Sequence, residues 1–280
     1  MTAADHPFSL LLPVYHADQP THFLRAFQSA VTEQTRMPAE VVLVQDGPVS
    51  VELQHAINSV VANSPIPVNC VVLDENVGLA RALTVGLHAC RHEFIARMDA
   101  DDISLPRRFE LEVPLLESGY DLVGTGMLEF DQNGKVLGRR VPPTGAETIA
   151  RAARFKDPFN HPTVVYRKAA VLDAGGYREL RLMEDYWLFA RMIQRGARTE
   201  NMPDPLVMYR VDAGAYHRRG GWRLFSSEMR LQVVLRREHF TTTTQFIRNV
   251  VVRGGYRFVP TVIRRLLYRR MSVRKVSPND

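Results

Sequence analysis

Ile95-Ala96-Arg97-Met98-Asp99-Ala100-Asp101-Asp102 places three carboxylates within four residues, directly behind a short apolar run. The run reads as a buried strand, and the acids as the turn at its carboxyl end. Like charges at this spacing repel, so folding alone gives little reason for them. Two readings stay open from these residues. The acids cap the next helix, or they supply hard oxygen ligands to a divalent cation that carries phosphate.

Upstream, Phe8–Leu12, Val41–Val44, Asn69–Leu73 and Phe94–Met98 are the strand candidates, with a helix over roughly 21–34 after the first. The second runs into Asp46-Gly47-Pro48, the third into Asp74 and the fourth into Asp99. Continuous apolar strands separated by amphipathic helices predict an α/β fold, a Rossmann-like, mostly parallel sheet with helices on both faces. Ligands bind beyond the carboxyl ends of such strands, so Asp46, Asp74 and Asp99 are expected to converge on one crevice. Downstream the pattern changes. A helix is expected over 107–117, an edge-like strand over Leu122–Phe130 before the Asn133-Gly134 turn, further strands at His161–Tyr166 and Leu206–Val211, and a helix over Glu184–Arg195.

The chain has 280 residues, 45% of them hydrophobic, enough for one large α/β domain with or without an extension. Its net charge of +6 is unevenly spread: residues 218–280 hold 15 Lys and Arg against 3 Asp and Glu, while residues 1–217 carry a net negative charge. The expected division is one α/β domain over 1–217, with halves meeting near 102, and a basic, helical extension over 218–280. In that extension Val259, Val262, Ile263, Leu266 and Leu267 fall on one helical stripe, with Arg264, Arg265 and Arg269 off it and Arg270 closing it. Such a helix suits an anionic membrane surface, reached through residues 245–280, or packs on the domain with its charges solvated. No recognised nucleic-acid motif accompanies the charge, so nucleic acid is not an expected partner. The start of the chain lacks the basic and apolar regions of a signal peptide, and no run approaches the ~18 apolar residues of a membrane span. Two cysteines, Cys70 and Cys90, give no disulfide framework. The expected location is cytoplasmic, at the inner face of the plasma membrane.

Five motifs now carry a resemblance. Leu12-Pro13-Val14-Tyr15, Gln45-Asp46-Gly47-Pro48, Asn76-Val77-Gly78-Leu79-Ala80, Met98-Asp99-Ala100-Asp101-Asp102 and Glu184-Asp185-Tyr186 stand in this order. Together they resemble the inverting family 2 glycosyltransferases, which have the GT-A fold. With Asn160-His161-Pro162-Thr163 and Gly175-Gly176-Tyr177 the chain looks like the branch that builds bacterial exopolysaccharides of the amylovoran kind, over roughly residues 8–221.

The resemblance implies a nucleotide-sugar donor, most often a UDP-sugar, and Mn²⁺ or Mg²⁺ as cofactor. It implies donor contacts from Pro13, Tyr15, Asp46, Asn76, Gly78, Arg81 and Asp99, with Asp46 facing the base and Asp99 the ribose and metal. Asp101 would bind the cation, and Asp102 would support it. Asp185 would be the general base toward a glycan or polyprenyl-linked acceptor, with Glu184 and His161 on the acceptor side. Relatives carry a His two residues after the equivalent of Arg210, where Asp212 stands here and His217 follows, and either remains a candidate contact to metal or phosphate. The family usually has Asn where this chain has Thr84. The Gln-x-x-Arg-Trp string of processive synthases is absent, so one sugar per encounter is expected. A sugar-phosphate nucleotidyltransferase, or a non-catalytic binding protein on the same fold, is the alternative. The first would want a Gly-rich basic loop after the opening strand, and Leu12–Tyr15 has none.

Overall fold

The computed structural model describes residues 6–211 and 222–255. Its first half alternates strand and helix: β1 (Phe8–Tyr15), α1 (Pro20–Ala30), β2 (Glu40–Asp46), α2 (Val51–Asn63), β3 (Val68–Val72), α3 (Leu79–Ala89) and β4 (Phe94–Arg97). These strands pair in parallel in the order β3-β2-β1-β4. The rest follows as β5 (Ile103–Ser104), α4 (Arg108–Glu117), β6 (Leu122–Phe130), β7 (Val136–Arg140), α5 (Ala146–Ala153), β8 (Val165–Arg167), α6 (Lys168–Asp173), α7 (Glu184–Gln194), β9 (Thr199–Arg210), α8 (Trp222–Arg237) and α9 (Thr243–Asn249). The sheet continues from β4 through β8, β6 and β9 to β5, and β7 pairs with β6.

Successive side chains of a strand point to opposite faces, and the core divides accordingly. Leu10, Leu12, Val41 and Leu43 pack beneath α1, α2 and α4 through Phe23, Phe27, Ile57 and Phe109. Leu11, Val42 and Val44 pack on the other face against α3 and α7 through Leu83, Leu87, Leu188 and Phe189. Gly86 brings α3 close, since a Cβ there would run into Leu11 and Val44. Both faces of β1 and β2 are therefore buried, which is why their sequences read as continuous apolar runs. β3 is half-exposed at the sheet edge.

Two strand expectations are corrected. β6 lies inside the sheet, with β9 along one side and β8 and β7 along the other. Its Gly124 and Gly126 are crowded. A Cβ on Gly124 would lie 2.6 Å from Asn201 Oδ1, and one on Gly126 would lie 2.5 Å from the Pro203 carbonyl. The expected strand His161–Tyr166 is a 3₁₀ turn over His161–Thr163 followed by β8, because Pro162 has no N–H to give a ladder.

The described part of the basic extension packs on the domain. Leu224, Leu231, Leu235 and Phe240 close a third apolar cluster with Leu180, Met183, Tyr186 and Ala190. Beneath it, Arg253 pairs with buried Glu228 at 2.6 Å, and Asn249 donates to the Arg154 carbonyl and to Gln232, both at 2.8 Å. The Val259–Arg270 stripe lies outside the described residues.

Candidate active site

The carboxyl ends of β1, β2 and β4 open onto a cleft of about 770 Å³. Pro13, Tyr15, Asp46, Asn76, Gly78, Asp99, Asp101 and Glu184 all line it, so motifs scattered over more than 170 residues meet in one place. Asp74 does not join them. It is exposed after edge strand β3 and is not part of the cleft wall.

Asp46 knots two loops together. Its carboxylate accepts from the backbone N–H of Val77 at 2.7 Å and of Gly78 at 3.1 Å, and its carbonyl accepts from Asn76 Nδ2 at 3.2 Å. Gly47, at φ +83°, completes the approach, because a Cβ there would meet the Asn76 nitrogen at 2.5 Å. Gly78 sits at φ +87° with open space beside it, on the cleft wall at the start of α3. Arg81 is not itself on the cleft wall, but it pairs with Glu179, which is, and both residues are exposed. Thr84 turns back to bond the Ala80 carbonyl at 2.8 Å within α3.

The acid turn is held from below by two buried arginines. Arg97, 1% exposed, donates from Nη2 to Asp99 Oδ1, and its Nε and Nη1 are buried without a hydrogen-bond partner. Arg108 donates to the Arg97 carbonyl at 2.8 Å and to Glu112 at 2.9 Å. Asp102 is fully buried. Its Oδ1 accepts from the Arg210 N–H at 2.8 Å, which ties the end of β9 to the turn, and its Oδ2 has no partner. Burial, then repulsion from Asp99, pushes Asp101 up to about 6. Asp18 sits on the same wall, accepts from the Tyr15 N–H at 2.9 Å, and is pushed up to about 7, chiefly by burial and further by Asp101 and Asp99.

Asp18 and Arg97 are the residues that sequence reasoning missed. Arg97 left a usable signal, a charge inside an otherwise apolar strand. Asp18 left none, because His16-Ala17-Asp18-Gln19-Pro20 reads as an ordinary turn into α1.

Across the cleft, Glu184 and Asp185 open α7. Glu184 Oε2 accepts from the Met183 N–H at 3.0 Å and Asp185 Oδ1 from the Tyr186 N–H at 2.7 Å, as acids at a helix start do. Burial, then Asp185, raises Glu184 to about 7, and burial raises Asp185 as well. Glu184 faces the cleft, whereas Asp185, a quarter exposed, lies behind it toward His161. His161 is 8% exposed and not on the cleft wall. Its Nε2 lies 3.1 Å from Tyr177 Oη and its Nδ1 lies 3.7 Å from Asp185 Oδ2. Burial and the nearby Arg97 charge hold its ring well below its ordinary value, so it is neutral.

Among the described residues, no three His, Cys, Asp or Glu side chains enclose a cation by themselves. Asp212 and His217 lie outside the described residues. The donor set nevertheless fits a hard divalent ion. Asp101 and Asp18 are carboxylates whose repulsion a cation would relieve, and substrate phosphate would supply further oxygens.

The family described as Glycosyl transferase family 2 matches residues 9–176. The chain belongs to that family. It is 37% identical over 266 residues to the amylovoran biosynthesis glycosyltransferase AmsE of Erwinia amylovora, covering 93% of this chain and 97% of that one. It is 31% identical over 268 residues to the UDP-Gal:alpha-D-GlcNAc-diphosphoundecaprenol beta-1,3-galactosyltransferase of Escherichia coli, covering 94% and 96%. Among solved structures, the S. aureus TarS fragment 1–349 superposes with a TM-score of 0.64 at 16% identity, covering 91% of this chain and 75% of that one. The mannosyltransferase PcManGT of Pyrobaculum calidifontis, in complex with GDP-Man and Mn²⁺, superposes with a TM-score of 0.68 at 14% identity, covering 97% and 77%. This glycosyltransferase therefore has the α/β GT-A fold expected of it.

Proposed function

We propose that this glycosyltransferase moves one sugar from a nucleotide-sugar donor, a UDP-sugar in preference, to a lipid-linked or polysaccharide acceptor, with inversion at the anomeric carbon. The observation that carries this reading is the placement of Asp18, Asp99, Asp101 and Glu184 around a single cleft, with Asp185 next to Glu184 at the start of α7. Donor contacts are assigned to Pro13, Tyr15, Asn76, Gly78 and Asp99. Asp46 holds the loop that presents Asn76 and Gly78. Asp101, with Asp99 and Asp18 beside it, would hold Mn²⁺ or Mg²⁺, whose charge stabilises a departing diphosphate. Asp185 takes the proton of the acceptor hydroxyl as its oxygen attacks the anomeric carbon, and the bond from that carbon to the nucleoside diphosphate breaks. The acceptor class rests on the diphosphoundecaprenol substrate in the name of the Escherichia coli relative, and an exopolysaccharide role rests on the name of the Erwinia amylovora relative.

The carboxylate shifts give a pH test. In the folded protein Asp18 and Asp101 rise from 3.8 to about 7 and about 6, and Glu184 rises from 4.5 to about 7. Between pH 4 and 7 the native state therefore binds more protons than the unfolded chain, so cation-free stability falls as pH rises through that window. A bound Mn²⁺ would replace the protons of Asp18 and Asp101. Its effect on the melting temperature should be larger at pH 7 than at pH 5, and an equal effect at both would remove the cation from these groups.

We also propose that the basic extension contacts anionic lipid. No helix of the described residues is long and apolar enough to cross a membrane. Ile247, Val251 and Val252, at the end of the described extension, are each more than half exposed. Truncation has to spare Asn249 and Arg253, because loss of Arg253 would leave Glu228 buried and uncompensated. Removal of residues 256–280 should release the protein from anionic vesicles at low salt while UDP-sugar binding persists. If the full-length protein does not sediment with the vesicles, the lipid reading fails.

A further inference from the structure

Behind Asp185 lies a buried polar chain to which the donor and cation reading gives no part. His161 is caged by aromatic rings, with Tyr177 at 5.7 Å and Phe189 edge-on at 5.9 Å between centroids. Its two ring nitrogens face different partners, Tyr177 Oη at 3.1 Å from Nε2 and Asp185 Oδ2 at 3.7 Å from Nδ1. Tyr177 is in turn fixed by its loop. Gly175 and Gly176 take φ +83° and +64°, which let the chain double back, and Arg191 clamps the carbonyls of Ala174 and Gly176. Asp185 is held at its other oxygen by the Tyr186 N–H.

A neutral imidazole has one N–H, and two arrangements are available. With the proton on Nε2, the Nδ1 lone pair would face a carboxylate oxygen, which is repulsive. With the proton on Nδ1, the N–H faces Asp185 and the bare Nε2 accepts from the Tyr177 hydroxyl. Only the second arrangement is attractive at both ends. We propose that Tyr177 and His161 are positioning residues for Asp185: the tyrosine hydroxyl selects the Nδ1–H tautomer, and that N–H, an electrostatic contact at 3.7 Å that shortens to a hydrogen bond when acceptor binds, aims the Asp185 carboxylate. This rests on Asp185 being the general base. The other charged and titratable groups around Asp185 are Arg97 from β4, Asp99 behind it, Asp157 ahead of the His161 turn, Tyr177 and the adjacent Glu184. The Tyr177 hydroxyl also meets that of Tyr166, which is the donor in that contact when Tyr177 donates to Nε2.

Two measurements test the proposal. Nitrogen-15 NMR of the ligand-free full chain labelled at histidine reads the tautomer of His161 directly. The Nδ1–H form is expected, neutral across about pH 5.5–8, and an Nε2–H form would overturn the proposal. The second is a pair of substitutions. His161→Asn keeps an amide N–H near the Nδ1 position, and His161→Gln places it near Nε2. With UDP-galactose or UDP-N-acetylglucosamine, whichever is turned over, His161→Gln should lower kcat about 10–100-fold, the usual cost of losing an orienting partner. Its donor KM should stay unchanged and the acid limb of its pH profile should move up, whereas His161→Asn should retain most activity. Equal activity of the two variants, or a loss confined to donor KM, would overturn the positioning role. Tyr177→Phe should fall between them, and thermal melts report whether any variant loses activity by unfolding instead. If Asp185→Asn is fully active, the base assignment fails. If that variant is inactive and His161→Gln is normal, only the positioning proposal fails.

Discussion

Asp185→Asn is expected to lower turnover by about 10²–10⁴-fold, the range for loss of a positioned general base, with nucleotide affinity unchanged. The substitution preserves shape and the hydrogen bond from the Tyr186 N–H while removing basicity. Donor affinity should survive because the assigned donor residues line the cleft, and Asp185, in α7's first turn, does not. Glu184 provides the internal control. It lines the cleft and is held near neutrality at about 7, so it is the competing base on geometry alone. Steady-state kinetics of Glu184→Gln beside Asp185→Asn separates them. A large loss in Asp185→Asn with a modest one in Glu184→Gln supports the assignment, and the reverse pattern transfers the role to Glu184.

Asp101→Ala should abolish cation-dependent nucleotide binding and lower turnover by at least about 10²-fold, comparable to removing one electrostatic contact at a developing charge. Folding has the opposite expectation. Asp101 is held at about 6 by burial and by its neighbour Asp99, so its removal relieves repulsion at pH 7. The cation-free variant should melt at or above the temperature of the unaltered protein while failing to bind UDP with Mn²⁺ in a calorimetric titration. Asp102→Ala makes the contrast. It removes the buried acceptor that ties the Arg210 N–H, so its loss should register first in stability. If Asp101→Ala binds UDP and Mn²⁺ normally, the acid turn serves folding alone.

The fold was legible where both faces of a strand are covered. Leu10–Leu12 and Val41–Val44 are continuous apolar runs because α1 and α2 lie on one side and α3 on the other, and the run itself records that environment. The interior place of β6 was not legible because its neighbours Phe159, Asn201 and Pro203 lie 35 to 77 residues downstream, which no local window contains. The site was legible to the extent that its residues share motifs: Asp46, Asn76, Gly78, Asp99, Asp101 and Glu184 meet at one cleft. Asp74 was wrongly placed there because an Asp after a strand at the sheet edge has no crevice to face. Arg81 pairs with Glu179 at the cleft, across 98 residues that spacing cannot bridge, and does not itself line the wall. Asp18 and the His161–Tyr177 contact arise from tertiary packing and left no mark in the sequence around them.

The most direct measurement is a thermal-shift panel of UDP-galactose, UDP-N-acetylglucosamine and GDP-mannose, each with Mn²⁺ and with chelator. A ligand at 100 times its dissociation constant stabilises by about 2.7 kcal/mol, which a melt resolves. The expected result is that one UDP-sugar raises the melting temperature in Mn²⁺ and loses that effect in chelator. No shift with any donor, or the same shift in chelator, would contradict a cation-dependent nucleotide-sugar site at Asp99 and Asp101.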